Sequence, residues 1–408
     1  MSERTATVVG GGIAGLASAL SLARAGWRTR VLESRSGTTE VGSGLALPRN
    51  GVVALNALGF DDAEIDRTGH RTQMTGFVDT LGRPILTMPV DDPQVREFTT
   101  VWGFHRQRLH GLLARAAHQE GVELVRGARV TGVAAGRPEG APAVVSWQQR
   151  GTGPDTTGHE TESDLVVGAD GLRSAVRGAL HPRVRPLYSG STDWRAIVPV
   201  AALQGTGLDG RLVEYWGPGT EFGVMQVNAE QVYWYGHIKA PERAVFDDEL
   251  ATARAGFAGW APEVLALIDA TTPDQIMRHD VHHMPEGPQS YVRGRVVLIG
   301  DAAQGALPTG GLGAASALED GASLGRLVGP ARRGDLERAL AGFDALRRPR
   351  RRALARQARV VARWGADLGG GWRQKLRNSA FRLVPAGAVV KSRKDVVHWA
   401  PPAPLIPA

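Results

Sequence analysis

Three short apolar segments of this 408-residue sequence each end in glycines, where a strand can turn into a helix. They are residues 7–15 (TVVGGGIAG), 164–171 (DLVVGADG) and 297–303 (VLIGDAA). Glycines at such a junction let a phosphate approach the backbone, and the helix that follows offers N–H donors to it. A carboxylate near the junction accepts hydrogen bonds from sugar hydroxyls. One junction alone says little, but three in this order predict a chain folded around a large dinucleotide.

The first junction has the G-x-G-x-x-G spacing at Gly10, Gly12 and Gly15. The first glycine permits a tight turn, the second leaves room for a pyrophosphate, and the third lets helix and strand pack closely. Glu33 ends the next predicted strand, where a carboxylate accepts both hydroxyls of an adenosine ribose and disfavours a 2′-phosphate. The predicted contacts of this half of the cofactor are Gly10, Gly12, Ile13, Ala14, Gly15, Glu33, Ser34 and Arg35.

The third junction favours a flavin as the other half of the cofactor. Asp301 follows Gly300 at the end of an apolar strand, where its carboxylate would take a ribityl hydroxyl of an extended FAD. Residues 308–313 (PTGGLG) lead into a helix whose N-terminal amides would face the electron-rich O2 edge of the isoalloxazine. A helix dipole aimed there stabilises the reduced, anionic flavin.

The composition is that of an ordinary globular protein, with 42% hydrophobic and 22% charged residues. The lack of cysteine excludes disulfides, a thiolate metal site and a thiol nucleophile. The net charge of +7 comes mostly from arginine, with the densest run between Arg347 and Arg363. Its helical spacing favours a solvated or interdomain helix face over cofactor steering, nucleic acid or membrane binding. Neither a leader nor a stable membrane association is expected, so the expected location is the cytoplasm.

Hydrophobic periodicity predicts a β-α-β unit over the first 35 residues, with a helix over 14–25 that ends at Gly26. Further helices are predicted over 49–58, 106–119 and 313–328, and strands over 122–125, 129–133 and 143–149, with a loose loop to 162. A hairpin around Gly82 is predicted to join strands 72–78 and 85–88. An inserted antiparallel sheet is predicted from strands over 194–200, 211–215, 221–227 and 231–238, with two helices within 244–270.

These patterns predict an α/β protein with a discontinuous Rossmann-like FAD-binding domain, an inserted antiparallel β-sheet substrate domain and C-terminal helices. The predicted FAD-binding domain comprises residues 1–71, 98–187 and 286–345. The predicted substrate domain comprises 72–97 and 188–285, and 346–408 form a C-terminal helical segment. We expect the ligands to bind in the cleft between the lobes, at the carboxyl ends of the parallel strands.

Residues 5 to about 363 resemble the group A flavoprotein monooxygenases, which have the p-hydroxybenzoate hydroxylase type of fold. The glycines at 10–15, the GADG at 168–171 and the GDAA…P…GxG…ED pattern at 300–320 match the three motifs of that family. The resemblance implies FAD as the cofactor and NAD(P)H as a transient co-substrate. It also implies that O2 adds at flavin C4a and that the C4a-hydroperoxyflavin transfers one oxygen to the substrate.

The resemblance further assigns roles to individual residues. It implies that Asp170 serves both the flavin and NAD(P)H, that Arg106 reaches the FAD phosphates, and that Pro308 lies beside the isoalloxazine, where backbone groups steady the peroxyflavin. Residues 41–45 match the segment that passes beside the flavin. The implied FAD contacts in the rest of the chain are Gly44, Leu45, Arg106, Val130, Asp170, Gly300, Asp301, Pro308, Gly311, Leu312, Gly313 and Ala314.

Three positions depart from the family pattern. Gln304 replaces the usual histidine, which removes a titrating group but keeps an amide that donates and accepts. Leu312 stands where glutamine is common, and backbone contacts to the flavin should survive that change. Ala46 occupies a place where some phenol-hydroxylating relatives carry a histidine base.

Candidate catalytic residues lie on one strand of the predicted inserted sheet. Tyr233, Tyr235 and His237 share one face of this strand and Trp234 lies on the other, and alternation alone does not show which face meets the flavin. Tyr235 or His237 is a candidate to orient or deprotonate a phenol. Packing is the stronger alternative for each of them.

Other substrate contacts are predicted elsewhere in the same sheet. Arg195 either holds an acidic substrate or pairs across the lobe interface, and Met225 and Trp234 complete the predicted substrate set. The aromatic surface of the cleft is expected to include Trp194, Trp216 and Phe222. His282 and His283 are interpreted as structural, with no metal site, because no carboxylate cluster of ligand spacing accompanies them.

The sequence therefore predicts an NAD(P)H- and O2-dependent flavoprotein monooxygenase that hydroxylates an aromatic or polycyclic small molecule. An epoxidase, a Baeyer–Villiger monooxygenase, a flavin-dependent dehydrogenase and a non-catalytic flavin-binding carrier are the alternatives. The protein is expected to be a monomer or a homodimer without a nucleic-acid partner.

Overall fold

The computed structural model describes residues 3–37, 43–150, 156–365 and 367–405. Within these ranges the strands, in chain order, are β1 (Thr5–Val9), β2 (Arg28–Glu33), β3 (Gly44–Pro48), β4 (Gly69–Val78), β5 (Pro84–Thr87), β6 (Thr100–His105), β7 (Glu123–Arg126), β8 (Ala128–Ala134), β9 (Ala143–Arg150), β10 (Thr156–Ser163), β11 (Leu165–Gly168), β12 (Leu187–Pro199), β13 (Arg211–Gly217), β14 (Thr220–Gln226), β15 (Gln231–Lys239), β16 (Met277–His283), β17 (Val292–Arg293) and β18 (Val296–Leu298).

The α-helices of the described ranges are α1 (Ile13–Arg24), α2 (Arg49–Ala57), α3 (Asp62–Thr68), α4 (Pro93–Thr99), α5 (Arg106–Gln119), α6 (Ala175–Leu180), α7 (Glu249–Gly256), α8 (Pro262–Asp269), α9 (Gly300–Gln304), α10 (Gly313–Leu327), α11 (Leu336–Trp364), α12 (Trp372–Arg382) and α13 (Ala386–Val397). None of these helices combines the length and the apolarity that crossing a bilayer requires.

A six-stranded sheet brings the three glycine junctions together. Its order is β17-β18-β11-β1-β2-β7, and every pairing is parallel except that of β17 with β18. The strands that precede the three junctions are neighbours, since Val167 of β11 pairs with both Val8 of β1 and Val297 of β18. Because the carboxyl ends of parallel strands share one edge, all three glycine turns lie at that edge. The predicted Rossmann-like architecture is confirmed.

Small residues let two helices on this sheet approach each other closely. A Cβ added at Gly321 of α10 would lie 2.6 Å from the Cβ of Ala17 on α1, and one at Gly325 would lie 2.5 Å from the Cβ of Ser21. The Ala- and Gly-rich sequences of α1 and α10 therefore serve packing. This contact fixes the start of α10, where residues 308–313 lead into the helix, relative to the first glycine junction.

A nine-stranded sheet forms the second large layer. Its order is β16-β12-β15-β14-β13-β4-β6-β3, with β5 paired to β4, and β13 with β4 is its parallel pair. One face packs against α7 and α8 in an apolar cluster that includes Trp194, Phe222, Trp234, Phe257 and Leu267. The predicted antiparallel sheet with helical cover is thus confirmed.

The nine-stranded sheet also includes β3 and β6, which come from ranges predicted to belong to the FAD-binding domain. They pair antiparallel, with Leu45 opposite Phe104, although more than fifty residues lie between them. No local turn joins these two strands, so their pairing leaves no short-range pattern in the sequence. The two domains therefore interlock more closely than boundaries at residues 72 and 98 imply.

The loop predicted between residue 149 and residue 162 is partly wrong. Thr156–Ser163 form β10, which pairs with β9 from Thr156–Arg150 to Ser163–Ala143 and completes a three-stranded sheet with β8. The polar sequence of β10, TTGHETES, lacks the apolar alternation that marks a half-buried strand. Backbone hydrogen bonds to β9 hold this edge strand, and residues 151–155 lie outside the described ranges.

Candidate functional site

A cavity of about 1050 Å³ lies between the six-stranded and the nine-stranded sheets. The N-termini of α1 and α10 border it through Gly12 and Gly313. The face of the nine-stranded sheet that α7 and α8 leave uncovered forms another wall. Side chains of α11, α12 and α13, including Val361 and Phe381, close it from the C-terminal side. The cavity therefore lies where the sequence predicts the ligands.

The first glycine loop has the geometry that the G-x-G-x-x-G spacing predicts. Gly10 has φ +101°, and a Cβ there would lie 2.5 Å from the carbonyl oxygen of Ala169. A Cβ on Gly15 would lie 1.9 Å from the carbonyl oxygen of Gly10, so helix and strand pack too closely for any side chain. A Cβ on Gly12 would meet no atom within 4 Å, because Gly12 borders the open cavity. Ile13 and Ala14 border the cavity beside it.

Glu33 lies at the carboxyl end of β2, as predicted, and its carboxylate holds the glycine loop. Oε2 accepts a hydrogen bond from the Gly11 N–H at 2.7 Å, and Oε1 accepts from the Arg35 N–H at 2.8 Å and from Ser34 Oγ at 3.3 Å. Of Glu33, Ser34 and Arg35, Arg35 is the one that lines the cavity. A carboxylate has about four lone-pair sites, so Glu33 can still accept from a ribose. That ribose contact stays a prediction.

Asp170, in the second glycine motif, caps a helix. Its Oδ1 accepts from Ser174 Oγ at 2.5 Å, and its Oδ2 accepts from two N–H groups of the first turn of α6 at 2.6 and 3.1 Å. Burial raises the pKa of Asp170 above its usual value, against the effect of these hydrogen bonds. Its neighbours Ala169 and Gly171 line the cavity. Asp170 therefore positions the motif, and its implied contacts with the flavin and NAD(P)H stay predictions.

Asp301, in the third motif, presents a carboxylate to the cavity. Although protein surrounds it, 55% of its side-chain surface is accessible from the cavity. Burial raises the pKa of Asp301, while the charges of Arg351 and Arg106 oppose that shift. Gly300 has φ +57°, and its turn aims Asp301 at the cavity. Arg106 and the implied flavin contacts of the third motif line the same cavity, namely Pro308, Gly311, Leu312, Gly313 and Ala314.

Arginines of α11 hold the third motif in place. Arg347 Nε and Arg351 Nη1 donate to the two oxygens of the buried Asp320 at 2.7 and 2.8 Å. Asp320 Oδ2 also accepts from the Gly300 N–H at 2.8 Å. The charges of Asp320 and Glu319 raise the pKa of Arg347 in spite of its burial. This part of the arginine run therefore lies at an interface between helices, as the helix-face interpretation predicts.

The remaining implied FAD contacts do not all reach the cavity. Gly44 and Leu45 line it, and β3 passes so close to Tyr233 that a Cβ on Gly44 would lie 2.3 Å from its ring. Val130, by contrast, packs in an apolar cluster with Trp147 and does not line the cavity. Its implied contact with FAD stays a prediction. Residues 41 and 42 lie outside the described ranges.

The departure at Gln304 has a structural explanation. Gln304 is buried, and its Oε1 accepts a hydrogen bond from the Tyr291 hydroxyl at 2.9 Å. Its backbone carbonyl accepts from Arg351 Nη2 at 2.7 Å. Gln304 therefore stabilises the third motif through hydrogen bonds in the protein interior. Ala46, which stands where some phenol-hydroxylating relatives carry a histidine base, also lines the cavity and brings no titrating group to it.

Most of the predicted substrate residues share the cavity face of the nine-stranded sheet. Met225, Tyr233, Tyr235, His237 and Arg195 all line the cavity. The alternating pattern of β15 did not show which of its faces meets the ligand. In the structure it is the face that carries Tyr235 and His237.

The assignment of Trp234 to the substrate site is wrong. Its indole N–H donates to Thr271 Oγ1 at 2.9 Å in the core beneath α8, on the opposite face of the sheet. Trp194 and Phe222 lie in that same core, because strands paired in register present alternate residues to the same face. Trp216 is buried against Phe77 and is also not among the residues that line the cavity.

Strand pairing arranges the polar side chains of the cavity face in two adjacent rows. In one row Tyr235 pairs with Arg195 on one side and with Gly223 on the other, and Gly223 pairs in turn with Glu214. The second row runs across the same strands as Glu221, His237 and Asp193. We call this set the polar wall: Asp193, Arg195, Glu214, Glu221, Tyr235 and His237.

His237 forms a buried pair with Asp193 in the polar wall. Its Nδ1 lies 2.6 Å from Asp193 Oδ1, and Arg195 donates to the other carboxylate oxygen at 3.1 Å. Burial alone would raise the pKa of Asp193, but His237 and Arg195 outweigh burial and hold that pKa below its usual value. His237 Nε2 is buried and has no hydrogen-bond partner among the described residues. An ionised carboxylate at Nδ1–H leaves Nε2 free to accept a proton from a ligand.

Tyr235 bridges two buried glutamates in the polar wall. Its hydroxyl donates to Glu214 Oε1 at 2.9 Å and lies 3.5 Å from Glu221 Oε1. Burial raises the pKa of both glutamates, and the charge of Glu214 raises that of Glu221 further. This direction favours the protonated form of Glu221. Burial and the two carboxyl groups also raise the pKa of Tyr235 far above its usual value, so its phenol is a hydrogen-bond donor and not a base.

Sequence reasoning missed Asp193, Glu214 and Glu221. Each is a carboxylate inside a strand whose neighbours are mostly apolar, and each is buried in the fold. Acidic residues are almost never fully buried unless they are paired, so a carboxylate in such a strand is the signal that points to a site. The partners of these carboxylates come from other strands. A buried carboxylate in one strand does not show which other strands will lie beside it.

Comparison with known proteins identifies the family. Residues 3–358 match the family model described as "FAD binding domain". Aurachin C monooxygenase/isomerase of Stigmatella aurantiaca is 35% identical over 344 residues, which cover 84% of this chain and 85% of that protein. The 2-heptyl-3-hydroxy-4(1H)-quinolone synthase of Pseudomonas aeruginosa (strain UCBPP-PA14) is 32% identical over 391 residues, which cover 93% and 94%.

The fold is also similar to solved structures of flavin-dependent hydroxylases. The crystal structure of Klebsiella pneumoniae HpxO complexed with FAD and uric acid superposes with a TM-score of 0.81 at 25% identity, covering 97% of this chain and 96% of that one. The site fits FAD, because open space at Gly12, the accessible carboxylate of Asp301 and the N-terminus of α10 border one continuous cavity. The chain belongs to the FAD-binding-domain family of single-component flavoproteins and is an FAD-dependent monooxygenase.

Proposed function

We propose that this protein uses NAD(P)H and O2 to hydroxylate an electron-rich aromatic or polycyclic small molecule. One oxygen atom enters a ring C–H bond, the other leaves as water, and NAD(P)H with one proton supplies the two electrons. FAD, when bound, accepts those electrons and passes them to O2. The observation that carries the proposal is the unpartnered Nε2 of His237, a residue that is backed by Asp193 and lines the same cavity as Asp301 and Pro308.

In this proposal His237 acts as the general base. It accepts an O–H or N–H proton of the substrate at Nε2, which raises the electron density of the ring before oxygen transfer. Asp193 stabilises the imidazolium that forms and keeps Nδ1 protonated.

The rest of the polar wall and the apolar side chains around it would orient the ring. The Tyr235 hydroxyl, which donates to Glu214, keeps a lone pair that would accept from the substrate, and a protonated Glu221 would donate to a substrate oxygen or nitrogen. Met74, Leu212 and Met225 line the neighbouring part of the cavity, where they exclude water from the reaction. Since Arg195 is already paired with Asp193, we propose a substrate that is uncharged.

The names of two relatives suggest the substrate class. The relative at 32% identity is a synthase of a 3-hydroxylated quinolone, and the one at 35% identity is named an aurachin C monooxygenase/isomerase. We therefore propose an uncharged bicyclic heteroaromatic ring of the quinolone type. Its ring N–H would lose a proton to His237, and its carbonyl oxygen would accept from the polar wall.

A substrate screen tests the proposal. The FAD-loaded protein is mixed with NAD(P)H and each of a panel of hydroxylated quinolines, naphthols and benzoates, and both NAD(P)H oxidation and product mass are recorded. We expect uncharged bicyclic rings to accelerate oxidation and to gain one oxygen. Products that gain oxygen as an epoxide or an ester would indicate an epoxidase or a Baeyer–Villiger activity. Loss of two hydrogens would indicate a dehydrogenase, and a flavin that NAD(P)H does not bleach would indicate a carrier.

Substitution of His237 tests the assignment of the base. His237→Gln should lower the rate of product formation by about 100-fold or more, while FAD content and the rate of reduction by NAD(P)H persist. Activity should recover at high pH, where the substrate ionises without help. His283→Gln is the matched control, because His283 does not line the cavity. A His237→Gln protein that forms product at the wild-type rate would leave His237 a packing role.

A further inference from the structure

One side of α12 carries a stripe of exposed apolar side chains. Trp372 and Leu376 of α12, and Leu383, which directly follows its last residue, are 69%, 60% and 82% exposed. At 3.6 residues per turn, these three positions fall within about 40° of one another around the helix axis. Scattered surface apolar residues are common, but large ones aligned on one helix side form a continuous patch. We call this patch the α12 stripe.

Cations flank the α12 stripe on both sides. Arg373, Lys375 and Arg382 are exposed, and α12 contains no acidic residue. The same bias extends over the whole C-terminal segment: residues 346–408 contain fifteen Arg and Lys but two Asp, a net charge of +13. Since the full chain has +7, the other residues together carry −6. Part of this charge lies in buried ion pairs between α10 and α11, such as those of Arg347 and Arg351, and the rest includes the exposed cations of α12.

The opposite side of α12 borders the cavity. Phe381 and Val384 line the cavity, and the Phe381 ring centroid lies 6.1 Å from that of Trp216. Arg382 Nε donates to the carbonyl oxygen of Pro84 at 3.1 Å, which fastens α12 to β5. Arg377 donates to the carbonyl oxygen of Trp364, at the end of α11. Thus α12 is a wall one helix thick, with the cavity on one side and the stripe on the other.

We propose that the α12 stripe docks reversibly on an anionic lipid surface. A helix with Trp and Leu on one side and Arg and Lys beside them is suited to lie in the plane of a membrane interface, its apolar side among the headgroups and acyl chains. Anionic lipid headgroups complement the exposed cations beside the stripe, Arg373, Lys375 and Arg382. A second copy of the chain would bring two such segments together and repel. Nucleic acid would leave the apolar stripe without a partner.

Vesicle sedimentation of the FAD-loaded protein tests this proposal. We expect the wild type to sediment with vesicles of mixed phosphatidylglycerol and phosphatidylcholine, weakly or not at all with phosphatidylcholine alone, and less as salt is raised. Leu376→Asp/Leu383→Asp should weaken the partition into anionic vesicles by about tenfold or more. Leu187→Asp/Val245→Asp is the matched control, since both residues are exposed apolar side chains outside α12. It should bind like the wild type.

Charge variants and the oligomeric state complete the test. Arg373→Glu/Lys375→Glu should weaken binding, whereas Arg115→Glu/Arg129→Glu, at exposed cations elsewhere, should weaken it less. FAD content and thermal unfolding of every variant show that the fold is kept. The proposal is overturned if the wild type ignores anionic vesicles, if it binds zwitterionic vesicles equally well, or if the α12 variants bind like the wild type. Dimerisation that the Leu376→Asp/Leu383→Asp variant abolishes would overturn it in favour of a second copy.

Discussion

The phenol of Tyr235 lies directly over the backbone of Gly223. A Cβ built on Gly223 would be 2.1 Å from the Tyr235 Cζ and 2.4 Å from its hydroxyl oxygen. Gly223 stands between Tyr235 and Glu214 in the strand pairing, and the missing side chain is what lets the phenol reach across β14 to Glu214. The polar wall thus depends on a residue that has no functional group.

Gly223→Ala should therefore displace Tyr235 and break its hydrogen bond with Glu214. Because the phenol is buried, we expect a loss of thermal stability of about 1–3 kcal/mol, typical of overpacking. Unfolding of the FAD-loaded protein measures this loss. Gly158→Ala on β10 is the matched control, since its Cβ would meet no atom within 4 Å and Gly158 does not line the cavity. A Gly223→Ala protein as stable as the wild type would mean that Tyr235 moves aside freely.

Tyr235→Phe should uncouple oxygen transfer from NAD(P)H consumption. It removes the hydroxyl that donates to Glu214 but keeps the ring, so the substrate loses orientation while the FAD contacts remain. We expect more hydrogen peroxide per NAD(P)H with unchanged FAD content. A peroxide assay set against product yield measures the ratio. Equal coupling in Tyr235→Phe and the wild type would show that the hydroxyl has no part in positioning.

The protonated state of Glu221 should be visible in the pH dependence of stability. A carboxyl group whose pKa is raised by folding stabilises the fold fully below its unfolded pKa, near its usual 4.5. That contribution is lost as the pH rises through the folded pKa. Relative to Glu221→Gln, which cannot ionise, the wild type should therefore lose melting temperature as the pH rises above the unfolded pKa. Parallel curves for the two proteins would mean that the pKa of Glu221 is not raised.

The buried charges between α10 and α11 should dominate the stability of the third motif. Arg347→Met leaves Asp320 and Glu319 with one fewer cation in the core, a change that costs about 3–5 kcal/mol. Arg338→Met, on the same helix, removes a surface pair with Asp335 and should cost less than about 1 kcal/mol. Chemical unfolding of the two variants checks the difference. Equal costs would show that the buried network contributes nothing beyond a surface pair.

Asp301 and Asp170 should affect different properties of the enzyme. Asp301→Ala removes an accessible carboxylate and should weaken FAD binding by about 1–3 kcal/mol. Asp170→Ala should impair reduction by NAD(P)H more than FAD retention, if the role implied by the family resemblance holds. Flavin titration and stopped-flow reduction separate the two effects. Because Asp170 also caps α6, a variant that loses both properties together would assign it a structural role alone.

Local sequence pattern was sufficient for the cofactor half of the protein. Turn geometry at Gly10, the close approach at Gly15 and the carboxylate at Asp301 are each decided within a few residues, so spacing alone reveals them. The same holds for α5, predicted over 106–119 and observed as Arg106–Gln119. The face of β15 that meets the ligand, and hence the correction at Trp234, depended on where α7 and α8 pack.

The polar wall could not be predicted from the sequence, because its members meet across strands. Asp193 and His237 are 44 residues apart, and the pair exists because β12 and β15 align in one register. A shift of that register by a single residue would turn His237 into the core and leave Asp193 without its partner. Spacing along the chain therefore identified the cofactor, whereas strand order and register, which long-range packing sets, brought together the residues proposed to act on the substrate.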